Sequence, residues 1–506
     1  MIPTTRSSLY LKAVSVTAVL VGLGSLLGFV RDLLLARIFG ASSASDAFLV
    51  AWTVPETAAP LLIEGAMAFV LVPLFSRALE QGRDVRKVVA ETLPVISAVL
   101  MAIGAATAVA APWMVETLAP GIAAPDLAID CTRLTSVTVL MFGLAGYLSA
   151  ALRAHQAFAA PATIYVAYNL GIIVFVLALH DAFGALAAAL GVMAGGVAMV
   201  AAQLPAFVRH VGLPRLNSFG ALIPLAAFAP IAAFSLIRQG QIFVERFLGS
   251  SLAVGSISQM NYAQKIAQVP MVLSLIVATV TFPQLVRSVT AKNTAAARHR
   301  ITGDLTIAAL IVLPATGILI VFAPEIVHIL LEQGAFTPAD TQATAQFMRI
   351  YSLGLLGQTI VGVACRAYFC TARPAWFPGV AMAGGLLTTL SLATTTVPYW
   401  GAPGIAAANA VGITATALLL LYGLRGLDLA LSLRALAPTA GLLILPTVAA
   451  VTTGVLVRTF LRDFPAVTVL VPGVVLMALV FCASSVITRP KEIIRMLQAE
   501  QTEERT

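Results

Sequence analysis

The chain has 506 residues, of which 59% are hydrophobic and only 10% charged, whereas soluble domains carry about 25% charged residues. No polar stretch is long enough for a soluble catalytic domain of about 50 to 250 residues, so the composition excludes a soluble enzyme and indicates a polytopic membrane protein. The net charge of +8 comes from basic residues in short loops between apolar spans, a distribution that suits lipid headgroups and membrane topology rather than nucleic acid.

At about 20 apolar residues per crossing, the sequence predicts an all-α protein of roughly fourteen transmembrane helices. Their approximate extents are 9–38, 46–75, 88–113, 130–152, 159–179, 183–208, 219–247, 256–286, 303–331, 342–370, 375–397, 402–424, 436–460 and 465–487. Arg6 and Lys12 before an apolar run imitate a signal peptide. That run, 13–30, exceeds a signal core of about 7 to 15 residues and lacks a small-residue cleavage site, so it is read as the first helix. With the N-terminus in the cytoplasm, the loops after even-numbered helices hold Arg77, Arg83, Arg86, Lys87, Arg153, Arg209, Arg215, Arg287, Lys292, Arg298, Arg300, Arg373, Arg425 and Arg434. The opposite loops hold Glu116, Asp126, Asp181, Glu332 and Asp340, with Arg458 and Arg462. The positive-inside rule therefore predicts that both termini are cytoplasmic.

The first two helices carry Arg31, Asp32, Arg37, Asp46, Glu56 and Glu64. An ionisable group costs about 2.5–3.5 kcal/mol at a helix centre on insertion scales, so such groups are expected to pair or to face a wet cavity. Arg31 and Arg37 lie within two helical turns of each other, and the alternative to a cavity role is that both snorkel at an interface. Glu64, next to Gly65, is a candidate to pair with a cavity arginine or to carry a coupling proton, or simply a protonated acid bonded to backbone. In the seventh span Arg238, Gln239, Gln241, Glu245 and Arg246 form the densest polar run. Arg238, Gln241 and Glu245 share one helical face there, which points to a cavity lining. Lys265, five residues before Pro270, lies in a second polar patch, and the proline is expected to bend the eighth helix. Arg349 and Arg366 in the tenth helix are weaker candidates that can reach an interface. The five histidines fall in loops or at span ends with no metal or general-base spacing, and the four cysteines read as packing residues. No HExxH, Walker loop, GxSxG or zinc spacing occurs.

The chain also repeats weakly. Arg37-Ile-Phe-Gly40 with its Ser-rich turn and the later Val72-Pro73-Leu74 are echoed by Arg246-Phe-Leu-Gly249, Ser250-Ser251 and Phe282-Pro283-Gln284-Leu285. Two related bundles are the simplest explanation, a transporter arrangement with substrate bound at the repeat interface. The last two helices have no counterpart in the first half.

The segments GFVRDLLLARIFGASSASDAF, PETAAPLLIEGAMAFVLVPLF and VERFLGSSLAVGSISQMNYAQKIAQVP, with TVTFPQL, resemble the MurJ/MviN family of lipid II flippases in the MOP exporter superfamily. The resemblance implies two six-helix lobes, 1–215 and 216–430, two extra helices in 431–490 and a cytoplasmic tail at 491–506. It implies an inner-membrane flippase, not an enzyme, that moves an undecaprenyl-diphosphate-linked glycan to the outer leaflet. Membrane lipids, and other cell-wall synthesis proteins, are the implied partners; no cofactor is implied.

By the same resemblance, Arg31, Asp32, Asp46, Glu64 and Gly65 keep the family pattern, while Arg37, Arg238, Gln241, Glu245 and Lys265 complete the candidate substrate-binding set. Three positions depart from it: Ser25 and Ala59 stand where arginines are common, and Lys265 replaces an arginine. Lysine offers a point charge without the planar fork, which weakens a bidentate grip on diphosphate. A different lipid-linked polysaccharide precursor, or a degenerate flippase retained as an envelope-synthesis scaffold, is the alternative. Coupling to a monovalent cation or to the membrane potential is expected, with Glu245 the one candidate cation ligand and only Thr388 and Thr389 to offer on the eleventh helix. A MATE-like antiporter for a small cation is disfavoured by the partly cationic set.

Overall fold

The computed structural model describes residues 4–212, 229–370, 376–429 and 433–488. Among them all regular structure is helical, and the chain divides into two compact units, 1–258 with 333–337, and 259–332 with 338–506. The lobe boundaries expected at 215 and 430, and the tail at 491–506, fall outside the described residues.

The first unit contains α1 (Thr4–Phe39), α2 (Ser43–Ala59), a π-helical turn (Pro60–Ala66), α3 (Met67–Glu80), α4 (Val85–Val109) and α5 (Ala111–Leu118). It continues with α6 (Pro125–Thr135), α7 (Val137–Ala154), α8 (Ala159–Ala162), α9 (Ile164–Phe183), α10 (Leu186–His210) and α11 (Ala229–Gly249). Gly40, at φ +60°, makes the turn out of α1, where a Cβ would come within 3.0 Å of the Ala335 carbonyl carbon. A reciprocal Ser42–Ser45 capping box then starts α2. Helices α9 and α10 meet through small residues, since a Cβ on Gly171 would lie 2.7 Å from the Gly195 Cα. Buried polar groups in this unit are bonded across helices: Thr92 Oγ1 to the Tyr147 hydroxyl at 2.7 Å, and the Ser149 hydroxyl to Gln203 Oε1 at 2.8 Å. In an apolar medium such groups have no water to fall back on, so the bonds fix helix register.

The first turn of α12 (Ser256–Ala267) belongs to the first unit and the rest of it to the second. There follow α13 (Val269–Thr290), α14 (Thr294–Val321), α15 (Ala323–Leu331), α16 (Pro338–Leu353) and α17 (Leu355–Phe369). The second unit ends with α18 (Phe377–Trp400), α19 (Ala402–Gly423), α20 (Leu433–Phe460) and α21 (Ala466–Thr488). The last two helices, α20 and α21, pair with each other and pack on α14. Arg458 at the end of α20 donates to Glu325 in α15 at 2.7 Å, which pins the pair at that end. Tyr399, Trp400 and Phe460 are strongly exposed at helix ends, as side chains at a membrane–water boundary are.

Among the described residues, eleven helices are long and apolar enough to cross a membrane, or twelve if α16 and α17, bent by 44°, form one span. The protein is thus a multi-pass helical membrane protein, and the fourteen spans expected are not confirmed in number. The two places not counted are the seventh, whose expected residues 219–228 lie outside the described residues, and the eighth. There, α11 carries Arg238, Glu245 and Arg246 within 21 residues, and the eighth span breaks at Gln268, with Pro270 in the first turn of α13.

Helices α18 and α19 touch through two reciprocal glycine–threonine contacts. A Cβ on Gly412 would overlap the Thr389 hydroxyl and lie 2.6 Å from the Gly385 carbonyl, and one on Gly385 would overlap the Thr416 hydroxyl. Gly412→Ala is therefore expected to destabilise the second unit by about 1–3 kcal/mol, whereas Gly303→Ala, at a site with nothing within 4 Å, is not. Thermal unfolding of both variants in detergent checks the contrast.

Candidate functional site

Arg31 lies on α1 and is only 8% exposed. Its Nε and Nη2 donate to Asp32 Oδ1 at 3.0 and 2.6 Å, and its Nη1 donates to Asn169 Oδ1 on α9 at 2.9 Å. The flat face of the guanidinium lies 4.5 Å from the Trp52 ring of α2, a cation–π contact strengthened by exclusion of water. Asn169 is itself fixed, donating to the carbonyls of Gly24 and Tyr165 at 3.0 and 2.9 Å. Arg31 is therefore not a snorkelling surface cation; three helices hold it in one orientation.

A second polar group forms where α2 gives way to the π-helical turn. Pro60 has no N–H to donate to the carbonyl of Glu56 four residues earlier. Gln239 of α11 supplies the missing donor, its Nε2 reaching the Glu56 carbonyl at 3.0 Å. One heptad further along α11, Arg246 is 1% exposed and its Nη2 lies 3.9 Å from Glu56 Oε2. Nε and Nη1 of Arg246 have no hydrogen-bond partner among the described residues. The Tyr168 ring packs against Trp52, with centroids 6.2 Å apart, behind the Arg31 group. π-helical turns recur at functional sites, and this one is braced by a polar contact on the helix opposite.

Asp46, 5% exposed, joins the first turn of α2 to the first turn of α12. Its Oδ2 accepts from the Gly255 N–H at 2.7 Å, and its Oδ1 accepts from the Ser258 N–H and hydroxyl, both at 2.8 Å. It is a capping carboxylate supplied from another helix, which satisfies orphan N–H groups and opposes the positive end of the helix dipole. Gly255 is required by its φ of +90° and by the Ala41 carbonyl, 2.5 Å from where a Cβ would sit. The segment 333–337 docks beside this clamp, with the Ala335 N–H donating to the Arg37 carbonyl at 2.8 Å.

The remaining expected residues fall as follows. The Arg37 side chain is exposed and only its carbonyl is engaged, unlike its repeat partner Arg246, so the two do not share one environment. The backbone of Glu64 lies in the π-helical turn, and its side chain is outside the described residues. On α11, Arg238 is exposed, Gln241 half-buried and Glu245 buried. The residues that reach α2 are Gln239 and Arg246, one position along from the face expected. Lys265 belongs to the second unit, where it is half-buried. Thr388 and Thr389 donate their hydroxyls to Gly384 and Gly385 of their own helix, and no cluster of three or more His, Cys, Asp or Glu side chains suited to a metal occurs among the described residues.

The first unit also contains a cavity of about 250 Å3, lined by Val50, Leu61, Leu100, Met114 and Phe243 with the hydroxyls of Thr53, Thr57, Thr107 and Thr132, and by no charged side chain. This void is apolar, and Arg31, Asp32, Asp46 and Glu56 do not line it. Asn169, Trp52 and Gln239 were absent from the expected set. Asn169 had a signal, as the lone amide of an apolar span, whereas the role of Gln239 depends on a carbonyl freed on another helix.

An apolar helical bundle with charges buried inside it is that of a multi-pass membrane protein. The model of the family described as lipid II flippase MurJ matches residues 35–478, and the chain belongs to that family. A probable lipid II flippase MurJ of Rhizobium meliloti is 32% identical over 424 residues, covering 79% of this chain and 77% of that protein. The lipid II flippase MurJ of Burkholderia cenocepacia is 27% identical, covering 79% and 80%. Among solved structures, a lipid II flippase MurJ in an inward closed conformation superposes with a TM-score of 0.79 at 21% identity over 94% of this chain and 99% of that one. An inward-facing MATE-family multidrug transporter of the MOP superfamily gives 0.66 at 14% identity over 80% and 94%.

Asp46→Asn turns one of the two acceptor oxygens towards the clamp into a donor facing N–H groups. We expect a loss of about 1–3 kcal/mol and faster labelling of Ser256→Cys, a buried position, by a membrane-impermeant maleimide in a background without the native cysteines. Unchanged labelling contradicts the clamp.

Proposed function

We propose that the chain translocates lipid II, the polyprenyl-diphosphate-linked peptidoglycan precursor, from the inner to the outer leaflet by alternating access. Arg31 is the observation that carries the reading. A guanidinium has five N–H donors; three are used on Asp32 and Asn169, which leaves one on each terminal nitrogen, a fork matched to a diphosphate. Its orientation is set before substrate arrives, so little entropy is lost on binding. The polyprenyl tail stays in lipid while the headgroup crosses. Asp46 and the docked segment 333–337 close one end of the first unit, and release of that clamp is the step that opens it. The basic residues of the even-numbered loops support an arrangement with both termini in the cytoplasm, which makes the clamped end the periplasmic one.

The chain performs no covalent chemistry in this reading. Transport is coupled to a monovalent cation, with Glu245 as one ligand, or to the membrane potential, and other cell-wall synthesis proteins are its partners. A second substrate, another polyprenyl-linked glycan, is favoured by one observation. Ser25, where an arginine is common, is exposed and bonds only the Val21 carbonyl at 3.1 Å, and Ala59 likewise offers no cation. A scaffold role without transport remains the third reading.

Expression in a bacterium depleted of its own lipid II flippase separates these readings. Growth is expected to be restored by the chain and by Arg77→Ala, a loop variant, and lost with Arg31→Ala. An abundant, inserted protein that fails to rescue contradicts lipid II as substrate. Rescue by Arg31→Ala at the native level contradicts the diphosphate role of that residue.

A further inference from the structure

Histidines 155 and 210 belong to no spacing that suggests a metal, yet the fold brings them together at the C-terminal ends of α7 and α10, with ring centroids 6.3 Å apart. Each ring is fixed by its own helix. His155 Nδ1 lies 2.9 Å from the Ala151 carbonyl oxygen, and His210 Nδ1 lies 2.8 Å from that of Ala206. A carbonyl oxygen only accepts, so both Nδ1 atoms carry the proton. In the neutral imidazole, Nε2 is then a lone pair. This is the arrangement found in metal-binding histidines, which donate the other ring nitrogen to a carbonyl or carboxylate.

We propose that His155 and His210 form a two-histidine site for a transition metal ion of the zinc class, ligated through the two Nε2 atoms and completed by water. With an ion–nitrogen distance of about 2.0–2.1 Å, each ring centroid lies roughly 3.2 Å from the ion, so two rings on one ion have centroids about 5.2 Å apart at a tetrahedral angle and about 6.4 Å when opposed. The observed 6.3 Å falls inside that range, and a rotation of about 1 Å at the half-buried and exposed ring ends reaches the tetrahedral value. Imidazole selects zinc, copper and nickel over magnesium or calcium.

The neighbouring charge sets the strength of the site. Arg86 donates from Nε to the Val211 carbonyl at 2.8 Å, and a Cβ on Gly212 would strike its guanidinium. Arg86 is thus a fixed cation against the residues that follow His210. It repels a dication, so the affinity falls below that of a centre with three or four protein ligands. Bound metal ties α7 to α10, two helices that already pack together. The ion is therefore a staple of the first unit and not a gate.

Zinc titration of the full chain in nanodiscs, with any affinity tag removed, tests the site by calorimetry and by thermal unfolding. One Zn2+ per chain and a raised unfolding midpoint are expected. His155→Ala and His210→Ala should each weaken binding at least about tenfold, since loss of even an outer-shell partner typically costs about 10–100-fold. His180→Ala, whose ring is also bonded to its own helix, should bind like the unaltered chain. Both alanine variants should unfold like the parent without metal, because neither ring is buried in the core. No saturable binding, or binding that survives in the double variant, overturns the site.

Discussion

Charge in a bilayer interior persists only with a partner, and the first unit is arranged around that constraint. Arg31 is held by Asp32, Asn169 and the face of Trp52; Arg246 faces Glu56, and Asp46 caps α12. Removal of one member of any such group leaves a buried charge uncompensated, and breaking a buried pair costs about 3–5 kcal/mol. The same pairing gives the unit directionality. A cation with two free donors is presented from α1, while an acid on α2 closes the chain at Gly255 and Ser258.

Proline and glycine determine where that polar machinery fits among apolar helices. Pro60 removes a donor, and the freed Glu56 carbonyl becomes the anchor for Gln239, so a helix break in one element is converted into a contact between two. Gly40 and Gly255 take left-handed conformations where carbonyls approach closely. Elsewhere the helices are brought together by small residues, as at Gly171 and Gly195 or Gly385 and Gly412, which is how packing is gained where lipid is as apolar as the side chains.

Much of this was legible in the sequence. Spans of apolar residues gave the helical bundle, and the run from Arg31 to Asp46 with the PETAAPLLIEGA segment gave the family. The broken eighth helix was readable from Pro270. What the sequence withheld was geometry between segments. Seven-residue spacing in α11 supports either of two adjacent faces, and only the freed carbonyl of Glu56 selects the one with Gln239 and Arg246. Arg37 and Arg246 share a motif but not an environment, because Arg37 points out from the end of α1 while Arg246 is covered. The pairing of His155 with His210 needs α7 and α10 to end side by side, which no local pattern encodes.

The central claim is that the buried, preorganised Arg31 fork moves a diphosphate-linked lipid between leaflets. Its most direct measurement is the appearance of fluorescent lipid II on the far leaflet of proteoliposomes containing the purified chain. Transbilayer movement should depend on the chain, should fail with Arg31→Ala and should not extend to a phospholipid carrying the same fluorophore. Movement equal to that in protein-free vesicles, from a chain shown to be folded and inserted, contradicts the account.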